Sequence, residues 1–142
     1  MIEIYNINKA FDGKKVLRDI SSSFDKGKMN LIMGQSGSGK TVLLKSIVGL
    51  FEPDSGEIIF DGRSFTKMNQ KQRKEIRKEI GMVFQGGALF DSATILENVM
   101  FPLDMFTNWG YQKKKERVEF CLKCVNLNKV NDLYPSEISG GM

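Results

Sequence analysis

Residues 2–7 alternate apolar and polar side chains, which predicts a strand with one face on a core. Asp12-Gly13 is a hairpin turn signal, and 16–24 supplies the returning strand. Residues 25–28 then turn the chain into a third strand, the apolar run Leu31, Ile32 and Met33. Beyond a glycine-rich loop, Val42, Leu43, Leu44, Ile47, Val48 and Leu50 are too dense for a single stripe, so the spacing predicts a helix buried on most sides and ending within 49–53. A turn at 53–56, a short strand at 57–60 and a tight turn at Asp61-Gly62 follow. Charged residues over 70–79 predict an exposed helix stopped by Gly81, and 82–84 reads as a buried strand closed by Gln85.

The second half reads as helical. Thr94 caps a helix running to Phe101, with Glu97 at the capping-box position and Pro102 closing it. Val118, Cys121, Leu122 and Val125 recur at helical spacing and give the helix over 112–125 one buried stripe. With no internal repeat and no long linker, the expectation is one domain over 1–142: a β lobe with the phosphate-loop core at 1–85, and a helical lobe at 86–142.

Candidate chemistry concentrates at 34–41, GQSGSGKT, which matches the pattern GxxxxGK[ST] directly after the strand predicted at 31–33. Gly34, Gly37 and Gly39 allow backbone geometries that a Cβ obstructs, so successive N–H groups can turn inward around a phosphate, with Gln35, Ser36 and Ser38 completing the loop. Lys40 adds a movable positive charge. The helix beginning near it aims unpaired N–H groups and a positive dipole end at the same anion, and the Thr41 hydroxyl is placed to ligate Mg²⁺. The implied ligand is a nucleoside triphosphate with magnesium. A Gly/Ser-rich stretch can also be a plain loop, but that accounts for neither the lysine nor the flanking strand and helix.

Composition narrows the remaining choices. The chain has 142 residues, 21 Lys and Arg against 17 Asp and Glu, and no histidine. The resulting +4 is mildly basic and fits a polyanionic ligand or an anionic surface without identifying either. The basic runs at 71–78 and 113–117 contain glutamates at helical spacing, which favours solvated, ion-paired helix faces; contact with anionic headgroups near Arg73 and Lys114 is the alternative. Aromatic residues are not interleaved with these charges, so nucleic acid is not an expected partner. The N-terminus lacks a signal-peptide core, and no apolar stretch approaches the roughly 20 residues needed to span a bilayer. Cys121 and Cys124 would leave zinc two ligands short and fall late in a helix, so buried, reduced thiols are expected.

The segment GMVFQ, ending at Gln85, and SEISGGM, at 136–142, resemble the Q-loop and signature motif of ABC transporter ATPases, in that family's order. The resemblance begins at KAFDGKKVL, residues 9–17, and covers essentially the whole chain. It implies an α/β fold of the P-loop NTPase type: a parallel core sheet with an N-terminal antiparallel β lobe and a helical lobe. It also implies roles for particular residues. Phe11 falls where the family places an aromatic against adenine, although Phe11 can equally be a staple for the first hairpin. Gln85 corresponds to the residue that reaches magnesium and the attacking water. Ser139, Gly140 and Gly141 correspond to the residues that face the γ-phosphate held by an opposing subunit, at a helix start. Implied partners are a transmembrane permease and a second ATP-binding subunit in a head-to-tail homodimer, at the cytoplasmic, inner face of the membrane.

Met142 stands where the signature usually has glutamine. With FQGGALFDSATILENVMFPL, at 84–103, it is similar to the ATPases of intermembrane phospholipid (Mla-type) importers, which work with a permease and a lipid-binding substrate protein. Lipoprotein release is an alternative within the same superfamily. The family's second apolar strand ending in Asp-Glu, and its switch histidine, have no counterpart in the sequence. Asp61 precedes Gly62 and reads as a turn residue, Asp91 lies inside the Q-loop match, and Asp104 follows Pro102, so none of the three suits the metal aspartate. The chain is therefore expected to be the N-terminal portion of a longer ATPase, with apolar edges exposed and hydrolysis negligible by these residues alone. A non-hydrolysing nucleotide-binding or regulatory module is the alternative function.

Overall fold

The computed structural model describes residues 1–84 and 87–142, and these form two compact units, Met1–Met82 and Val83–Met142. The first is built on strands β1 (Ile2–Phe11) and β2 (Lys14–Phe24), joined by Asp12 and Gly13, whose φ values of 47° and 77° make the left-handed turn a two-residue hairpin needs. β3 (Ser55–Phe60) pairs antiparallel with the other edge of β1, and the short β4 (Arg63–Ser64) follows across the Asp61-Gly62 turn. The sheet order is β2-β1-β3-β4. Ile4 and Ile7 are both fully buried although three residues apart, which an unbroken pleat forbids. The register shift between them resolves this: Asn6, at φ 50°, and Asp19 on β2, at φ 52°, sit at matching irregularities, and the Asn6 amide donates to the Asp19 carboxylate at 2.7 Å.

Two helices complete the first unit. α1 (Lys40–Ile47) follows the glycine loop and packs Leu43 and Ile47 into a core with Ile4, Ile7, Leu17, Ile58, Phe60 and Phe65. α1 is not buried on most sides as expected, since Leu44 and Leu50 are exposed. α2 (Gln70–Lys78) carries a capping box between Asn69 and Gln72, and it buries only Ile76 and Arg73. Arg73 is a buried cation with full compensation: a bidentate pair with Glu52 at 2.8 and 3.1 Å, and donations to the Phe65 and Thr66 carbonyls.

The parallel pairing expected of the core is not formed among the described residues. Segments 31–33 and 82–84 are in no ladder. An apolar run becomes a strand only when a neighbour takes its N–H and C=O groups, and no described strand runs beside either segment. Ile32 packs on the first core, whereas Met29, Leu31 and Met33 are 98, 76 and 81% exposed, and Val83 is 97% exposed.

In the second unit, α3 (Ile95–Phe106) starts at a capping box between Thr94 and Glu97, as the sequence predicts. Pro102 does not close it. The helix loses one hydrogen bond there and continues for another turn, because Leu103 packs on the second core and its carbonyl accepts from Thr107 at 3.0 Å. α4 (Tyr111–Cys124) buries Val118 and Leu122 against Ile95, Met100 and Val130. Its end is a Schellman motif: Leu127 N–H donates to the Leu122 carbonyl, Asn126 N–H donates to that of Lys123, and Asn126 takes φ 59°. That turn swings Val125 out to solvent, so the buried stripe ends at Leu122. The cysteines are free thiols, but Cys124 is exposed and Cys121 half-buried, a correction to the buried pair expected. Among the described residues no helix is long and apolar enough to cross a membrane.

Candidate functional site

The loop before α1 has the geometry of an anion cradle. Gly37 and Gly39 have φ values of 77° and 95°, a region that L side chains avoid. Gly39 is the N-cap of α1, no side chain caps that end, and no acidic residue lies in the first turn. The first intrahelical bond runs from Leu43 N–H to the Gly39 carbonyl at 2.8 Å, which leaves the earlier first-turn N–H groups, starting at Lys40, without intrahelical acceptors. Space is equally constrained. A Cβ on Gly34 would lie 2.8 Å from Ser38 Oγ, and one on Gly39 would press at 3.1–3.2 Å on Val16 and Leu17, the β2 residues behind the loop.

Lys40 Nζ donates to the Gly34 and Gln35 carbonyls at 2.8 and 2.7 Å. These bonds bridge the loop and hold the ammonium at it, and by count one of its three donors is left over. Gln35, Ser36, Gly37, Ser38 and Thr41 are exposed, so the loop presents its polar groups to solvent. Among the described residues no three His, Cys, Asp or Glu side chains converge to hold a metal. The Thr41 hydroxyl is a neutral oxygen that would suit Mg²⁺ alongside the oxygens of a bound anion.

Phe11, at the end of β1, meets the Phe51 ring edge-on at 5.3 Å between centroids. Lys9 and Lys45 stand over Phe11 and Phe51, each at 5.4 Å. The strand end is fixed by Asp54, whose carboxylate accepts from Lys9 Nζ and from Ala10 N–H. The Lys9 hydrogen bond and then the Ala10 N–H hold the Asp54 pKa below its ordinary value. Sequence reading singled out Phe11 and missed Phe51, since β1 and the segment after α1 converge only in the folded chain. It also missed Asn98, a buried amide whose Nδ2 donates to the Phe90, Ala93 and Thr94 carbonyls while its Oδ1 accepts from Phe90 N–H.

Ser139, Gly140 and Gly141 are exposed and form a turn, closed by Met142 N–H on the Ser139 carbonyl at 2.9 Å. They line a groove of about 620 Å³ in the second unit, together with Phe84, Gly87 and Asp91. Gln85 lies outside the described residues. A separate 260 Å³ cleft in the first unit contains none of the loop residues; in it Asp61 pairs with the N-terminal ammonium and Arg63 with Glu79 at 2.8 Å.

Comparison with known proteins follows the same lines. Residues 17–142 match the family model described as ABC transporter. Over 142 residues the chain is 38% identical to the intermembrane phospholipid transport system ATP-binding protein MlaF of Haemophilus influenzae, covering 100% of this chain and 54% of that protein. It is 36% identical over 141 residues to the probable ribonucleotide transport ATP-binding protein mkl of Mycobacterium bovis, covering 99% of this chain and 39% of that one. Among solved structures, a dimeric post-hydrolysis state of the ATP-binding cassette MJ0796 bound to ADP and Pi superposes with a TM-score of 0.87 at 30% identity, covering 99% of this chain and 64% of that one. The chain thus spans about half or less of the length of these curated relatives.

Proposed function

Because the chain belongs to the ABC transporter family, we propose that it is the nucleotide-binding part of an ATP-driven transporter subunit, acting as a head-to-tail dimer beneath a membrane permease. The observation that carries this reading is the loop at 34–41: an uncapped helix start, two left-handed glycines and a lysine held at the loop mouth. Gly34 through Gly39 offer backbone N–H groups to the phosphates, Lys40 exchanges its carbonyl partners for phosphate oxygens, and Thr41 offers its hydroxyl to magnesium. Bound Mg²⁺ supplies charge withdrawal from the phosphate oxygens. Phe11 and its partner Phe51 offer an aromatic surface to the base, with Lys9 and Lys45 adding positive charge beside it. Ser139, Gly140 and Gly141 present a hydroxyl and amides to the nucleotide of the opposing subunit, and Gln85 would serve the metal and the attacking water.

Phospholipid is the transported substrate we favour, with a lipid-binding substrate protein as a further partner. The support is the identity with a phospholipid-transport ATPase along the full chain, together with the run GGALFDS at 86–92. On its own the 142-residue chain binds nucleotide and turns it over negligibly, since its sequence contains no apolar strand ending in Asp-Glu and no histidine. Hydrogen exchange with and without MgATP tests the binding reading: protection centred on amides 34–43 is expected, and protection confined to other segments contradicts it. ATP turnover above that of a Lys40→Ala control would overturn the statement about hydrolysis.

A further inference from the structure

The outward face of α4 carries a pattern that nucleotide binding does not use. Val118 and Leu122 point into the second core, and about half a helical turn away Lys113, Arg117 and Phe120 follow at helical spacing, with Trp109 four residues before Lys113. Lys113 Nζ sits 4.3 Å from the Trp109 ring centroid, and the Arg117 guanidinium 5.2 Å from that of Phe120. Both rings are exposed, at 38 and 56%, and Met105 and Tyr111 beside the loop are exposed as well. The result is a row of ring, cation, cation, ring that begins just before α4 and runs along it.

Charge is one-sided here. Residues 105–120 contain four cations, Lys113, Lys114, Lys115 and Arg117, against two carboxylates, Glu116 and Glu119. Lys114 is engaged by Asp104 at 2.7 Å, which pins α4 to the end of α3 and leaves Lys113 and Arg117 as the cations of the outward face. The 120 Å³ cavity and the 620 Å³ groove of this unit include no residue of the row, so the face is distinct from both. Exposed aromatics with long cationic side chains lying over them suit the boundary between headgroups and acyl chains: the rings settle at the interface, and Lys and Arg extend to the phosphates.

We propose that the Trp109–Lys113–Arg117–Phe120 face binds an anionic lipid surface directly. The contact is independent of nucleotide and adds to any attachment through a permease. Trp109 is the only tryptophan in the chain, so its fluorescence reports on this face alone. Titrating the whole chain with phosphatidylglycerol–phosphatidylcholine vesicles should shift Trp109 emission to the blue, with quenching by brominated acyl chains. The response should fade as salt is raised and be absent with phosphatidylcholine alone. The helix-compatible double variant K113Q/R117Q should lower the partition coefficient roughly 10- to 30-fold, with helical circular dichroism unchanged. F120S should weaken binding in a salt-insensitive way. Vesicle cosedimentation without a change at Trp109 would place the contact elsewhere, such as at Met29, Leu31 and Met33, and would overturn the proposal. A response equal for both vesicle types, or none for either, would also overturn it, the latter assigning the face to a protein partner.

Discussion

Gly49 shows how much a single position constrains the first unit. It turns the chain after α1 at φ 73°, and an added Cβ would lie 2.5 Å from two atoms of the buried Phe65 ring. Its carbonyl also accepts from Arg77 at 2.7 Å, so the backbone has no room to retreat. Gly49→Ala should therefore destabilise the unit by about 2–4 kcal/mol, read as a lower urea midpoint. Arg73→Ala should cost about 2–4 kcal/mol by the same measurement, because the Phe65 and Thr66 carbonyls lose a charged donor in a buried place. Lys40 behaves differently. Its ammonium bridges two loop carbonyls at an exposed site, so Lys40→Ala should leave stability nearly unchanged while weakening MgATP binding roughly 10- to 100-fold.

At the scale of elements, the second unit depends on how α3 begins. Thr94 Oγ1 accepts from Glu97 N–H while the Glu97 carboxylate accepts from Thr94 N–H at 2.7 Å, and Thr94→Ala should cost about 1 kcal/mol in thermal or urea unfolding. The Thr94 N–H, and then its hydroxyl, hold the Glu97 pKa below the ordinary glutamate value. A lowered folded-state pKa means that the stabilisation is complete above the ordinary glutamate range and is lost as pH falls through the folded value. Glu97→Gln should therefore flatten the acid limb of the stability profile and leave neutral-pH behaviour less affected than Thr94→Ala.

What was legible in the sequence divides along the same line of locality. The Thr94–Glu97 box, the Asp12-Gly13 and Asp61-Gly62 turns and the Gly34–Thr41 loop are each written within eight residues, and the structure forms all of them. The Asn69–Gln72 box is equally local, but it lies inside the unbroken polar and charged run 69–75, with no apolar periodicity to mark where the helix begins. Strand pairing is not local: Leu31–Met33 has the apolar residues of a core strand, yet nothing in those three side chains specifies a neighbour. Phe51 beside Phe11, and Val16 and Leu17 behind Gly39, depend on segments that meet only after the sheet has formed.

For the whole molecule, the uncovered side chains of Met29, Leu31 and Met33 make association the expected behaviour at rising concentration. Sedimentation velocity should show it, and M29K/M33K should raise the concentration at which it sets in roughly tenfold or more, since each methionine loses the gain from burial. The central claim, however, is nucleotide capture by the loop at 34–41, and isothermal calorimetry with MgATP on the whole chain tests it most directly. A saturable heat that is strongly reduced in Lys40→Ala is the predicted result. No heat from the unaltered chain, or superimposable isotherms for the two proteins, would contradict it.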